Sequence, residues 1–136
     1  MSFKWKDEYS MGIAKIDQQH KRLFEIGSQI YELARLKDDV DHFDEIVAII
    51  GELKDYTKYH FQFEEELMDL YQYPQVKLHK LEHFSFIKKL NDLDLDRIDE
   101  DQERVIMDLL DFVISWVTNH IIKSDFLYKD FLKGKI

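Results

Sequence analysis

His60 and Glu64 stand four residues apart, and so do His79 and His83 beyond the single proline, Pro74. On a helix, four residues amount to an offset of roughly 40°, one turn along the same face, so each pair is a two-pronged clamp for a cation. The faces matter as much as the spacing. His60 and Glu64 fall in the apolar series Ile46, Val47, Ile50, Leu53, Thr57, Phe61, Leu67, Met68 and Tyr71, and His79 and His83 fall in Val76, Phe86, Ile87 and Leu90. Faces of this kind point into a core. A carboxylate and several imidazoles buried there without partners would cost several kcal/mol, and a metal ion is the leading compensation.

The elements that must carry these clamps are helices. A first helix starts near Asp17, read as its N-cap, with Ile16, His20, Leu23, Phe24, Gly27, Ile30, Tyr31 and Ala34 on one stripe, so that His20 faces inward. Lys37 to Val40 make a short connection. Asp41 caps a second helix that runs to about Tyr71, roughly 30 residues or about 45 Å. Pro74 biases Tyr73 out of the helical region and suits the first turn of a third helix ending near Leu90. The polar stretch from Asn91 to Asp101 shows no stripe and reads as a loop. A fourth helix presents Ile106, Leu109, Val113, Trp116, Val117, His120 and Ile121 on one face, with Asp125 following. Five residues rotate an ideal helix by about 140° beyond a full turn, so His120 and Asp125 share a face only across a distortion such as a π-bulge at 121 to 125. Residues 1 to 15, with Phe3, Trp5, Tyr9, Met11 and Ile13 among charges, read as an irregular arm.

Four helices with short connections make an all-α, up-down-up-down antiparallel four-helix bundle, with residues 1–136 as one domain. Forty-five per cent hydrophobic residues with 4 Gly and 1 Pro agree with long helices. The 28 acids against 19 bases, a net charge of −9, argue against nucleic acid or an anionic membrane as partner. No uninterrupted apolar run approaches the roughly 20 residues of a membrane span, and no apolar signal core opens the chain, so no membrane insertion and a cytoplasmic location are expected. Cysteine is absent, which excludes disulfides, iron–sulfur ligation and thiolate zinc. His and carboxylate ligands alone leave iron, zinc, copper and manganese open.

Collected from the four helices, the inward polar residues are His20, His60, Glu64, His79, His83, His120 and Asp125. At this point the chain resembles the hemerythrin family, most closely its single-domain bacterial type. The stretches that carry the resemblance are Trp5 with GIAKIDQQHKRLF (12–24), HFQFEE (60–65), HKLEH (79–83) and WVTNHIIKSD (116–125). The resemblance implies reversible O2 binding at a non-haem centre of two Fe ions, for oxygen storage, transport or delivery. It implies that one iron takes His79, His83 and His120, that the other takes His20 and His60, and that Glu64, Asp125 and an oxo or hydroxo oxygen bridge them. If both irons prefer six ligands, that set fills the first and leaves the second one short, so the open position lies on the His20 and His60 side. Leu23, Phe61, Trp116, Val117 and Ile121 match the family's apolar pocket positions and are expected to line the O2 site. Dryness there would keep binding reversible.

A lone inward His is more often an ordinary core residue than a ligand, and Phe61 or Trp116 alone would read as packing. Five inward histidines with two inward acids reverse that reading. His42 lies off the stripe and reads as solvated, and Glu65, Glu66 and Glu82 read as surface charge. Asp92, Asp94, Asp96 and Glu103 mimic a calcium loop, but Arg97 stands where its sharp turn needs Gly. No Glu has His three residues later, which removes the ferritin-like Glu-x-x-His pattern, and His-Glu-x-x-His is absent too. No acid, base or polar substrate group accompanies the expected pocket, so a carrier is favoured over an enzyme. The alternatives are an O2 or redox sensor acting through a separate partner, and a weak peroxidase or NO-handling enzyme. A protein client for delivered oxygen is possible but unidentified.

Overall fold

The structure is a computed structural model that describes residues 4–36, 40–93, 95–133 and 135, with the side chains of 95 and 99 left aside. Phe3, Lys37, Asp38, Asp39 and Asp94, which figure in the sequence reading, lie outside the described residues. Four long helical segments form the body: α1 (Ala14–Arg35), α2 (Phe43–Leu70), α3 (Val76–Asn91) and α5 (Gln102–Asn119). A short α4 (Leu95–Glu100) precedes α5, which continues through a π-helical segment, His120–Asp125, into α6 (Phe126–Leu132). Among the described residues there is no strand.

Cross-helix pairs show that neighbours run antiparallel. Glu65 meets His83 while Asp69, further along α2, meets Lys80, earlier on α3. His83 meets His120, and Phe86 meets Trp116 and Phe112 in turn. Each helix buries its apolar stripe. Ile46, Ile50, Leu53 and Phe61 of α2 join Leu23, Phe24 and Ile30 of α1, Phe86 and Leu90 of α3, and Leu109, Val113 and Val117 of α5 in one core. A second cluster, Met11, Ile16, Met68, Tyr73, Tyr128 and Leu132, closes the other end. The seven inward polar residues sit between the two, as Phe61 and Tyr128 show by lying against His83 and His79 respectively.

Three local readings are corrected. Helix α1 begins at Ala14, so Asp17 is not its N-cap. Its carboxylate holds the arm instead, accepting from Ser10 Oγ at 2.6 Å and the Met11 N–H at 2.7 Å, while it still favours the positive end of the helix. Between arm and helix, Gly12 adopts φ 70°, a left-handed conformation that glycine takes without strain. Second, Asn91 to Asp101 is not all loop: it contains α4, in which Ile98 is fully buried, and six residues make fewer than two turns, too few to show a periodic stripe. Third, the His42 ring is 17 % exposed and bonds Glu45 Oε1 at 2.9 Å, so it is less solvated than its position suggested.

The end of α2 fits its turn. The Tyr73 N–H bonds the Met68 carbonyl and the Gln72 N–H the Asp69 carbonyl, a Schellman closure with Gln72 in the left-handed C′ position at φ 58°. The helical run Gln102–Leu132 is long and apolar enough, by length and composition alone, to cross a membrane. Here its apolar face, with Val105, Ile106, Leu109, Val113 and Val117, is buried in the bundle, as in any core helix.

Candidate metal centre

Helix α1 supplies His20 and its neighbour Gln19, α2 supplies His60 and Glu64 one turn apart, and α3 supplies His79 and His83 in the same way. The fourth contribution needs the distortion at the end of α5. The Phe126 N–H reaches back five residues to the Ile121 carbonyl, a π-type bond, and this extra residue brings Asp125 onto the inward face with His120.

All seven side chains are buried: His20, Glu64 and Asp125 are wholly so, and even His120 is only 7 % exposed. Their donor atoms fall into two overlapping groups, each with all atoms within 4.8 Å of one another: Glu64, His79, His83, His120 and Asp125 in one, His20, His60, Glu64 and Asp125 in the other. Glu64 and Asp125 belong to both. Asp125 Oδ1 lies 3.0 Å from His79 Nε2 and 3.1 Å from His120 Nε2, and Oδ2 lies 3.2 Å from His20 Nε2. Glu64 Oε1 lies 2.8 Å from His60 Nε2 and 3.6 Å from His83 Nε2.

The other ring nitrogens point outward. His60 Nδ1 is 2.6 Å from Gln19 Oε1, His83 Nδ1 is 2.8 Å from Glu65 Oε2, and His120 Nδ1 is 3.3 Å from Glu82 Oε2. These acceptors place the imidazole hydrogen on Nδ1 and leave Nε2 with a lone pair directed at the centre. The Tyr128 hydroxyl donates to Glu64 Oε2. Two rings brace the imidazoles: Phe61 stacks on His83 with centroids 3.9 Å apart, and Trp116 on His120 at 4.4 Å.

This donor set fits a metal. His20 Nε2, His79 Nε2, Glu64 Oε1 and both Asp125 oxygens are buried without a hydrogen-bond partner among the described residues. Acceptor faces acceptor at the centre, an arrangement that cations relieve. Without metal the strain shows in proton affinities. Burial holds His60 down to about 3 and His83 lower still, and burial with the neighbouring Asp125 pushes Glu64 up to about 8. Burial opposes charge on His120, but Asp125 and Glu82 outweigh it and raise it to about 10. Burial likewise opposes charge on Asp125, yet the surrounding imidazoles, His120 first, keep it well below the usual carboxylate range.

The sequence reading missed four side chains that touch the cluster. Glu65 and Glu82, read as surface charge, instead bond His83 and His120, which corrects that reading for both; Glu66 is exposed and bonds Gln62. Gln19 and Tyr128 were not singled out. The dipeptides Gln19–His20, Glu64–Glu65 and Glu82–His83 carried the only available signal, an acceptor adjacent to an inward ligand-type residue.

Leu23, Phe61, Trp116, Val117 and Ile121 line one small cavity, of about 10 Å³, against His20, His60, His120 and Asp125. That is on the order of one water molecule's room. Thr57 and Phe86 complete the wall. The Thr57 hydroxyl already donates to the Lys54 carbonyl at 3.0 Å.

An all-α bundle whose interior gathers five imidazoles and two carboxylates into two overlapping groups has the donor set of a histidine-rich two-metal protein. Comparison with known proteins narrows the class. The family model described as the Hemerythrin HHE cation binding domain matches residues 11–132. The chain is 45 % identical to a bacteriohemerythrin of Clostridium acetobutylicum over 94 % of its own length and 99 % of that protein's. It is 35 % identical to one from Stenotrophomonas maltophilia, covering 97 % of this chain and 82 % of the relative, and 32 % identical to the hemerythrin of Phascolopsis gouldii, covering 98 % and 93 %. The chain belongs to the hemerythrin family, whose members are O2-binding proteins with a di-iron centre rather than enzymes.

Proposed function

We propose that this chain is an O2 carrier that stores, transports or delivers oxygen. In this reading His79, His83 and His120 hold one iron, His20 and His60 hold the other, and Glu64 and Asp125 reach both. Two ferrous ions held by these residues would supply the two electrons that reversible O2 binding draws on. The chain's own residues do the remaining work. Their outward Nδ1 bonds keep the lone pairs of His60, His83 and His120 aimed inward, and the two carboxylates offset cationic charge that would otherwise be costly to bury.

The observation that carries this reading is the cavity walled by both imidazoles of the two-imidazole half, His20 and His60, with His120 as its one imidazole from the other half. Its size suits a small guest. Leu23, Phe61, Val117 and Ile121 are almost fully buried and exclude the water and protons that would make oxidation irreversible. The ionisable residues in its wall, His20, His60, His120 and Asp125, all belong to the ligand cluster. Among the described residues no further acid or base faces a guest there, which favours binding over turnover.

Anaerobic loading with ferrous iron, followed by O2, tests the proposal. A visible charge-transfer band that appears with O2 and disappears under vacuum is the expected result. Immediate conversion to a ferric spectrum that never reverses would overturn it.

A further inference from the structure

The imidazoles of the two halves of the centre are held from behind by unlike groups. In the three-imidazole half, His83 Nδ1 donates to Glu65 Oε2 and His120 Nδ1 to Glu82 Oε2. In the other half, His60 Nδ1 donates to the neutral amide oxygen of Gln19, and His20 Nδ1 has no hydrogen-bond partner among the described residues. Both carboxylates lie at the edge of the bundle, with side-chain exposures of 27 % and 38 %, so they keep part of their hydration while touching a buried ring. Glu82 is fixed twice over. Its Oε1 accepts from Ser124 Oγ at 2.9 Å, and Ser124 lies in the same π segment as His120, so one carboxylate clasps that distorted turn at both points.

We propose that Glu65 and Glu82 are positioning residues for the three-imidazole half: each fixes the tautomer and tilt of one imidazole and lends it negative charge, whereas the two-imidazole half has only an amide behind it. The inference rests on the reading that His83 and His120 bind iron. Hydrogen bonds to a carboxylate are roughly twice as strong as those between neutral groups, and a carboxylate behind a metal-bound imidazole makes it a better electron donor. The two halves are therefore unequal by construction. The iron on the carboxylate-backed side is held more tightly and its oxidised form is favoured, while the iron beside the cavity is bound through less basic rings.

The test uses the full chain loaded anaerobically with ferrous iron, comparing wild type, Glu65→Gln, Glu82→Gln and, as a control, Glu66→Gln. Glutamine can still accept the Nδ1–H, so orientation is largely kept while the charge is lost. The expected result is release of one iron of the pair to a chelator about 10- to 100-fold faster in Glu65→Gln and Glu82→Gln. A more positive reduction potential should accompany it. Glu65→Ala and Glu82→Ala, which lose the acceptor as well, should release iron faster still. Wild-type release and potential in both Gln variants, or an equal shift in Glu66→Gln, would overturn the proposal. A wild type that binds no iron pair would overturn the ligand reading itself, which the same chelator assay detects separately.

Discussion

His83 and His120 face each other through their Nε2 atoms at 3.0 Å, while the opposite nitrogen of each ring is turned to a carboxylate. Two lone pairs at that distance repel, and a cation or a proton must separate them. The same holds for His60 Nε2 and Glu64 Oε1 at 2.8 Å. A cation bound among these atoms would relieve both contacts, and this sets what should happen when such a cation is removed or misplaced.

Removing iron should destabilise the fold. A ligand present at a hundred times its dissociation constant adds about 2.7 kcal/mol, which for a chain of this size is on the order of 10 °C in melting temperature. Scanning calorimetry with and without chelator measures it. Acid acts in the same direction, because an imidazole must be neutral to bind and protons compete with metal as pH falls. Iron retained after dialysis should therefore drop with decreasing pH, and retention that rises in acid would contradict the ligand assignment.

His20→Ala or His60→Ala should abolish the O2-dependent band, since each removes one of the two imidazoles of the smaller ligand group that borders the cavity. His42→Ala should leave the spectrum intact, because His42 sits at the start of α2 with Glu45. A spectrally silent His42→Ala protein would show the ligand list to be wrong.

Phe61 separates a surface groove, which it lines with Leu81, His83 and Phe84, from the inner cavity. Phe61→Ala should cost about 3–5 kcal/mol of stability, the usual range for truncating a buried aromatic ring. It should also admit water, shortening the lifetime of the oxygenated protein. Denaturant melts and the decay of the visible band read the two effects separately. An unchanged lifetime would mean that the ring is packing alone.

Gln72→Gly should stabilise the turn after α2. A left-handed conformation costs an L-residue about 1–2 kcal/mol, and part of the gain is offset by the extra freedom of glycine in the unfolded chain. The net gain should be about 0.5–1 kcal/mol, or roughly 2–4 °C in a thermal melt. A lower melting temperature would show that the Gln72 side chain contributes something its backbone strain conceals.

Much of the bundle was legible because helix faces are written locally. A 3.6-residue period needs no knowledge of a partner helix, and it put His20, His60, Glu64, His79, His83 and His120 on faces that are buried. The π segment was legible once the family resemblance placed Asp125 inward with His120, since an inward acid five residues after an inward His requires an extra residue in the turn. Asp17 was misread because a carboxylate near a helix start can serve either the helix or the chain before it, and only the folded arm decides between them. The helix Leu95–Glu100 was missed because six residues make fewer than two turns, too few for a buried position such as Ile98 to recur as a stripe.

The order of residues by itself determined the helices, their inward faces and the ligand types available, because spacing along a chain sets direction around an axis. Only the tertiary structure decided which side chains stand behind those imidazoles. Glu65 and Glu82 lie about 100° around their helices from Glu64 and His83, a direction that reads as solvent. They touch imidazoles only because α3 packs beside α2 and α5 beside α3, bringing His83 and His120 within 2.8 Å and 3.3 Å of their carboxylates.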